Sequence, residues 1–214
     1  MPGSRPVLAS KLMSDAGVLT PPGERVGTAD QRIIRFGAPW EHFEIELALR
    51  GDRSGPRIAY LQGALEIMSP SKDHERIKSY IGSLIEAYAL ETGLELSRYG
   101  SWTLKNTLAE AGLEPDECFI VGSDQDKPAP DLAIEVVWTS GGIDKLEIYR
   151  RLGIGEVWFW KDDAIRVFVL AGDRYEQSER SRIFPGLDLG LIAGLLDRPT
   201  ATQAVRALRE ALAR

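Results

Sequence analysis

Two carboxylates lie on one face of a strongly apolar segment, PDLAIEVVW (130–138). Its even-numbered positions, from Leu132 to Trp138, are all apolar, whereas the odd-numbered positions include Asp131 and Glu135. Since side chains alternate across a β-strand, the segment predicts a strand with an apolar face opposite a face that carries both acids. A carboxylate in apolar surroundings is unfavourable unless it meets a proton, a cation or a metal ion. We therefore expect the carboxylates of this strand to have a partner residue or ion.

The partner of Glu135 has to come from another element. Asp131 and Glu135 are four residues apart, which is roughly 13 Å along a straight strand, so the two cannot directly bind one metal ion. The preceding segment, EPDECFIV (114–121), is separated from PDLAIEVVW by the loop GSDQDKPA. If the two form an antiparallel hairpin that pairs Val121 with Asp131, Asp116 and Glu117 lie next to Glu135. This register predicts that Asp116 and Glu135 converge.

A lysine follows on the next predicted helix. In GGIDKLEIYRRLG (141–153), Leu146, Tyr149 and Leu152 recur at helical spacing and Gly153 ends the pattern. Lys145 falls on the same side as Tyr149, so we expect its aliphatic stem to be buried and its ammonium to reach a carboxylate. The alternatives are a purely structural Lys–Glu pair and an ordinary solvated lysine.

Two converging acids and a lysine are the groups that a metal-dependent phosphodiesterase uses. Carboxylate oxygens hold Mg²⁺ or Mn²⁺, and the metal polarises the phosphate and helps to generate hydroxide. The lysine stabilises the negative charge that develops on the phosphate. We therefore expect Asp116 and Glu135 to be metal ligands and Lys145 to be the phosphate-facing cation.

The same residues resemble a known superfamily. Pro115-Asp116, followed by Glu135 after a hairpin loop, resembles the PD-(D/E)XK nucleases. An ordered set of segments is similar to the Uma-type family of restriction-endonuclease-like proteins, over about Trp40 to Leu196: LEIMSPSKDHERIK, EPDECF, PDLAIEVVW, KLEIYRRLG, EVWFW and FPGLDL. The resemblance implies an α/β fold with a restriction-endonuclease-like mixed β-sheet core and flanking helices. It also implies an endonuclease that cuts DNA with Mg²⁺ or Mn²⁺.

One position departs from the superfamily pattern. The pattern has a lysine two residues after the acid of the second strand, where this chain has Val137. In the Uma-type family the lysine is displaced to the following helix, which makes it Lys145 here. Asp131, at the beginning of the strand, is either an acid behind the metal ligands or a residue that binds the loop.

The helix predicted at SPSKDHERIKSYIGSLIEAYALETG (69–93) supplies a further candidate. One apolar stripe must face the sheet, and it comprises Ile77, Ile81, Leu84, Ile85 and Tyr88. His74 projects within the arc of this stripe at the N-terminal end of the helix, whereas Glu75 lies away from it. In the related nucleases the first helix supplies an accessory residue, which implies His74, with Glu75 as a minor candidate. The alternative for His74 is a packing residue with satisfied hydrogen bonds.

Glu66 is the last minor candidate. The segment RIAYLQGALEIM predicts two strands around Gly63, and Glu66 alternates with Leu65 and Ile67. The simplest interpretation is a solvated strand face. The resemblance instead places an acid here close to the end of the sheet that holds the active site.

Composition bounds the alternatives. The 214 residues are 43% hydrophobic and 27% charged, as in soluble proteins, and they divide into an N-terminal arm (1–30), one domain (31–198) and a C-terminal amphipathic helix (199–214). The formal net charge of −6 argues against tight nonspecific binding of DNA. The single cysteine, Cys118, excludes an intrachain disulfide, and two histidines make zinc catalysis of the usual kind a poor match.

No apolar run reaches membrane-spanning length, which predicts a cytoplasmic protein that does not bind membranes. The resemblance implies that the protein binds DNA and can form a homodimer. Two other functions remain open from the sequence. One is a catalytically inactive module with a nuclease fold that binds DNA or a protein partner. The other is a metal-dependent hydrolase of a different phosphoester.

Overall fold

The computed structural model describes residues 29–137 and 141–213. The predicted arm, apart from its last two residues, and Trp138 of the predicted strand lie outside them. Along the chain the elements are β1 (Gln31–Arg35), α1 (Trp40–Arg50), β2 (Arg57–Leu61), β3 (Ala64–Ser69), α2 (Lys72–Thr92), β4 (Leu96–Arg98), β5 (Leu104–Asn106), β6 (Ala111–Leu113), β7 (Glu117–Val121), β8 (Leu132–Val136), α3 (Lys145–Leu152), β9 (Glu156–Lys161), β10 (Ala164–Ala171), β11 (Arg174–Ser178), α4 (Leu189–Leu195) and α5 (Ala201–Leu212).

The strands form two sheets. A six-stranded sheet has the order β11-β10-β9-β8-β7-β4, in which β8 and β9 are parallel and the other pairs are antiparallel. An antiparallel five-stranded sheet has the order β1-β3-β2-β6-β5. The predicted α/β class with a mixed sheet and flanking helices is confirmed. The structure adds a second sheet to the mixed one, because β1 and β6, which lack a clear alternating pattern, pair with the strands of the β2–β3 hairpin and with β5.

The main core lies between α2 and one face of the six-stranded sheet. The five residues of the predicted stripe on α2 are all buried there, together with the alternate residues of the central strands, Leu132, Ile134, Val136, Trp158 and Trp160. Helix α5 packs against α2 and contributes Ala204 and Leu208 to the same core. An amphipathic helix can bury its apolar stripe in this way without a second subunit.

The opposite face of the six-stranded sheet meets α3. Ile148 and Tyr149 of this helix are fully buried against Ala133 and Val157 of the six-stranded sheet and against residues of β2, β5 and β6 in the other sheet. Alternation along β8 therefore sends Ile134 toward α2 and Glu135 toward α3. The fold thus places the acid of β8 and the helix that carries Lys145 on the same side.

Side-chain caps define where α2 and α3 begin. The Ser71 hydroxyl accepts a hydrogen bond from the His74 N–H at 3.2 Å, and the Asp144 carboxylate accepts one from the Glu147 N–H at 3.0 Å. His74 therefore lies in the first turn of α2, and Lys145 is the first residue of α3. Helix α3 ends at Gly153, whose φ of 73° is the left-handed conformation that glycine adopts without strain.

None of the described helices has the length and apolar character that a membrane span requires.

Candidate active site

The pairing of β7 with β8 brings Asp116 to Glu135. Glu117 lies opposite Ile134 and Phe119 lies opposite Leu132, so the next position brings Asp116 beside Glu135. The predicted register, Val121 with Asp131, is wrong by one residue: the Asp131 N–H donates to the Phe119 carbonyl at 2.9 Å, and the Asp131 side chain accepts a hydrogen bond from the Val121 N–H at 2.7 Å. This one-residue shift sends Glu117 to the other face, where it pairs with Arg98. Only Asp116 of the two predicted acids joins Glu135.

Asp116 is buried and only partly hydrogen-bonded. Its Oδ2 accepts a hydrogen bond from the Val136 N–H at 2.8 Å and lies 3.0 Å from His74 Nε2. Its Oδ1 accepts no hydrogen bond from any residue that the structure describes, and the nearest cation to it is Arg57, with Nε at 4.0 Å. A buried carboxylate oxygen without a donor is unusual and is able to bind a further ligand.

Glu135 is also buried, and α3 holds both of its oxygens. Lys145 Nζ lies 2.5 Å from Oε2, and the Tyr149 hydroxyl donates to Oε1 at 2.5 Å. Lys145 and Tyr149 are four residues apart and therefore project from the same side of α3. The lysine that the sequence places near the acids does reach Glu135, and Tyr149, which the sequence shows only as a core residue, is its companion.

The pKa values of the two carboxyl groups are shifted in opposite directions. Burial raises the pKa of Asp116, but the hydrogen bond and positive charge of His74, the charge of Lys145 and the Val136 N–H outweigh burial, so the pKa is lowered. Burial raises the pKa of Glu135 to about 7, with a further contribution from the negative charge of Asp116, although Lys145 and Tyr149 oppose the shift. Divergent pKa values in neighbouring carboxyls are typical of functional sites.

His74 connects Asp116 to a residue from the beginning of the described chain. Its Nδ1 lies 3.0 Å from Asp30 Oδ2, and its Nε2 contacts Asp116 on the other side. Asp30 also accepts a hydrogen bond from the Ser71 N–H at 2.8 Å, which ties it to the first turn of α2. Burial lowers the pKa of His74, but hydrogen bonds and charges from the two carboxylates raise it to about 9. His74 is therefore positively charged at neutral pH.

We expect this charge to make the metal-free protein less stable at alkaline pH. A folded-state pKa near 9, above the ordinary value of 6.5, means that the stabilisation is complete below pH 6.5 and is lost as the pH rises through 9. The expected loss is on the order of 3 kcal/mol in the free energy of unfolding. Urea unfolding of the wild type and His74→Gln in a chelator, at pH 6.0, 7.5 and 9.5, measures it.

The difference between wild type and His74→Gln should shrink as the pH rises. A difference that stays constant over this range would mean that His74 is neutral and acts only through packing.

Glu66 is buried beside the site and does not lie on a solvated face. It is 2% exposed, lies 3.2 Å from Arg32 Nε and accepts a hydrogen bond from the Ile143 N–H at 3.1 Å. A Cβ atom on Gly142 would lie 2.8 Å from Glu66 Oε2, so the backbone before α3 approaches Glu66 where only glycine fits. The solvated alternative is wrong because Arg32 and the backbone before α3 contact the Glu66 carboxylate and exclude solvent from it.

Two minor candidates do not contact Asp116 or Glu135. Glu75 is 42% exposed in its side chain, pairs with Lys78 at 2.5 Å and lies 3.9 Å from Arg57, the cation next to Asp116. Asp131 lies at the opposite end of β8 from Glu135 and binds Lys127 of the loop at 2.7 Å. Of the two roles left open for Asp131, the structure places it in contact with the loop.

Sequence reasoning missed Asp30 and Arg57. Asp30 lies at the end of the segment interpreted as an arm, and Arg57 begins a strand; neither position has a pattern that predicts a buried charge. For Tyr149 a usable signal was present, since it follows Lys145 by four residues on the predicted helix.

A cleft of about 320 Å³ opens beside these groups. Lys145, Glu66 and Arg32 line it on one side, and Phe159, Phe168, Lys161 and Arg166 line it on the other. Asp116 and Glu135 are not part of its surface, because each is only 1% exposed. Lys145 thus separates the cleft from Glu135.

The donor set fits a hard divalent cation in part. Within the described ranges, 29–137 and 141–213, no three acidic, histidine or cysteine side chains are grouped so that they could hold a metal ion. Two carboxylates are nevertheless enough for Mg²⁺, which keeps several waters and takes further oxygens from a phosphate substrate. The free Oδ1 of Asp116 is the atom best suited to begin such a site.

Comparison with known proteins identifies the family of the chain. The model of the Uma2 family, described as "Putative restriction endonuclease", matches residues 40–193, which is more than half of the chain. The chain belongs to the Uma2 family. The resemblance drawn from the sequence segments is thereby confirmed, and the candidate site of this Uma2 protein, apart from Asp30 and Arg32, lies within the matched residues.

A solved structure is also similar: "Crystal structure of a putative nuclease belonging to DUF820", from Anabaena variabilis ATCC 29413. It is 15% identical over 77% of this chain and 98% of that chain, with a TM-score of 0.44. No curated protein matches this Uma2 protein.

Proposed function

We propose that the protein hydrolyses phosphodiester bonds in nucleic acid, with DNA as the substrate, and that Asp116 and Glu135 hold Mg²⁺ or Mn²⁺. Membership of a family of restriction-endonuclease-like proteins supports a nuclease-like function. The proposed metal site is supported by one observation above all. The buried Oδ1 of Asp116 accepts no hydrogen bond from the described residues, and it lies next to Glu135, whose pKa is raised.

Each side chain has a role in this proposal. When bound, the cation would polarise the phosphate and activate a water molecule. Asp116 offers Oδ1 as a ligand, while the Val136 N–H and His74 hold its other oxygen in place. Tyr149 fixes the orientation of Glu135. Lys145, which lies between Glu135 and the cleft, is the cation that contacts the phosphate to be cleaved.

His74 is a positioning residue in this arrangement. Both of its ring nitrogens are occupied by carboxylates, Asp30 on one side and Asp116 on the other. It therefore has no free nitrogen with which to take or give a proton to a substrate. It orients Asp116 and offsets the charge of two buried acids.

The proposal is tested by incubating the protein with supercoiled, linear, single-stranded and branched DNA in Mg²⁺, in Mn²⁺ and in chelator. We expect cleavage that requires the metal. A small phosphodiester such as bis(p-nitrophenyl) phosphate is included. Its hydrolysis without cleavage of DNA would favour the alternative function, a metal-dependent hydrolase of a different phosphoester. Restoration of activity when metal is added back after chelation distinguishes a metal requirement from inactivation.

A catalytically inactive binding module is the second candidate. Both carboxylates are 1% exposed, and Lys145 and Tyr149 engage both oxygens of Glu135. Such an arrangement also describes a buried ion pair with a structural role. DNA binding that persists without cleavage, by folded protein in every metal tested, would favour this candidate.

A cytoplasmic location and a homodimer remain predictions. Size-exclusion chromatography with light scattering tests the homodimer, and a monomer at working concentration would contradict it.

A further inference from the structure

The cleft beside Lys145 continues the sheet face that carries Glu135. Glu135 of β8 lies beside Phe159 of β9, and Phe159 lies opposite Arg166 of β10. Side chains of neighbouring residues in register project from the same face of a sheet. Glu135, Phe159 and Arg166 therefore form one row across three strands. Lys161 and Phe168, each two residues from a member of this row, share its face.

The aromatic residues of β9 divide between the two faces. Trp158 and Trp160 are buried in the core beneath α2, so they are unavailable to a ligand. Phe159 projects the other way and is only half-buried, as is Phe168, and the two ring centroids are 5.6 Å apart. Helix α3 covers the sheet face next to them but leaves these two rings as the apolar wall of the cleft. An aromatic surface of this kind accepts a nucleobase by stacking.

The charges of the cleft are positive, although the protein is acidic. Four cations line it, Arg32, Lys145, Lys161 and Arg166, against two acids, Glu66 and Asp144, whereas the whole chain has a net charge of −6. Lys161 forms no ion pair with any part of the chain that the structure describes. Among the described residues, Arg166 pairs only with Asp162, at 3.3 Å, and that carboxylate is 70% exposed. Such an exposed pair is weak, so the guanidinium can turn to a phosphate.

We propose that this cleft binds one unpaired nucleotide of the substrate strand. The base lies against Phe159 and Phe168, and the backbone phosphates contact Lys161 and Arg166. The next phosphodiester along the strand then reaches Lys145. A volume of about 320 Å³ is at the lower end for ligand pockets and accommodates a single nucleotide, not a duplex. The inference rests on the proposed function and specifies its substrate: single-stranded or locally unpaired nucleic acid.

Binding without cleavage tests the cleft. Fluorescence anisotropy of a labelled oligothymidylate, its uridylate counterpart and a duplex of equal length is measured in chelator, where metal-dependent chemistry is off. We expect the single strands to bind more tightly than the duplex. Phe168→Leu should weaken single-strand binding about 10-fold, because stacking on one aromatic side chain contributes about 1–3 kcal/mol per base. The thymidylate and uridylate arms distinguish DNA from RNA.

Charge variants give a second readout. We expect them to fold normally, because the side chains of Arg166 and Lys161 both border solvent. Arg166→Gln and Lys161→Gln should each weaken binding and lower the dependence of log Kd on log salt by about 0.7, as expected for one lost phosphate contact on a single strand. The matched controls are Phe36→Leu, at an aromatic side chain 81% exposed elsewhere, and Arg174→Gln, at an arginine on β11 that is 76% exposed. We expect both controls to bind as the wild type does.

Several results would overturn the proposal: no binding of single strands, equal or tighter binding of the duplex, or Phe168, Arg166 and Lys161 variants that match the controls. Failure of the catalytic proposal looks different, since then no substrate is cut while single-strand binding and its loss in the cleft variants persist.

Discussion

Asp116→Asn is expected to reduce metal-dependent cleavage by about 10³-fold, because the contribution of a metal ion to a phosphoryl transition state is several kcal/mol. An amide at this position can keep an oxygen facing the Val136 N–H and His74, where Oδ2 now accepts. It loses the anionic Oδ1, which contacts no donor within the described chain. The substitution therefore removes the proposed ligand atom with little change to the packing around it. Rates at saturating Mg²⁺ and Mn²⁺, with unfolding free energies from urea titration, measure both effects.

The matched control is Glu114→Gln, at another buried acid on the segment that leads into β7. Glu114 contacts Arg50 and Thr103, away from the site, so it should lose stability and keep activity. If Asp116→Asn cleaves at more than about a tenth of the wild-type rate while Mg²⁺ dependence is unchanged, Asp116 is not a ligand, since loss of a ligand is expected to cost more than the ~1.4 kcal/mol that a tenfold effect represents.

The second large effect concerns Glu135 and Lys145 together. Glu135→Gln alone leaves the buried Lys145 ammonium beside a neutral amide, and we expect a loss of about 2 kcal/mol in unfolding free energy, because removing one member of a buried pair strands the other charge. The double variant Glu135→Gln/Lys145→Met removes both charges. It should recover much of that stability, with a coupling energy of about 1–3 kcal/mol. Cleavage should stay abolished in both variants.

This combination separates a structural ion pair from a catalytic one. If the pair is purely structural, the double variant should regain cleavage together with its stability. If the proposed site is correct, it should regain stability without cleavage. The control pair is Glu147 and Arg151 on the same helix, 2.7 Å apart and partly exposed. Its double-variant cycle, with Glu147→Gln and Arg151→Met, should give a coupling energy below about 1 kcal/mol and full activity.

Periodicity alone was enough to predict several elements of this protein. The alternation of PDLAIEVVW predicted a strand that buries Leu132 and Ile134, and both are at most 1% exposed. The apolar stripe of SPSKDHERIKSYIGSLIEAYALETG predicted α2. These predictions hold because the signal lies within a few consecutive residues, where backbone geometry and side-chain direction are directly coupled.

The short strands were not predictable in the same way. β1, QRIIR, has two adjacent isoleucines in place of an alternating pattern, and β6 has only three residues within an acidic stretch. What makes them strands is their pairing with β3, β2 and β5, elements that are distant in sequence. The second sheet, and with it the burial of Glu66, therefore depends on contacts that no local pattern contains.

The sequence by itself determined that an acid of β8 needs a cation and that Lys145 of the next helix is on the correct side to supply it. Only the tertiary structure decided the rest. The backbone pairing of β7 with β8 sets a register one residue away from the expected one, and this single residue of shift selects Asp116 over Glu117. Asp30 and Tyr149 reach the site from two other directions. Long-range packing brings these polar and charged side chains together. Burial, not sequence spacing, determines which of them must pair.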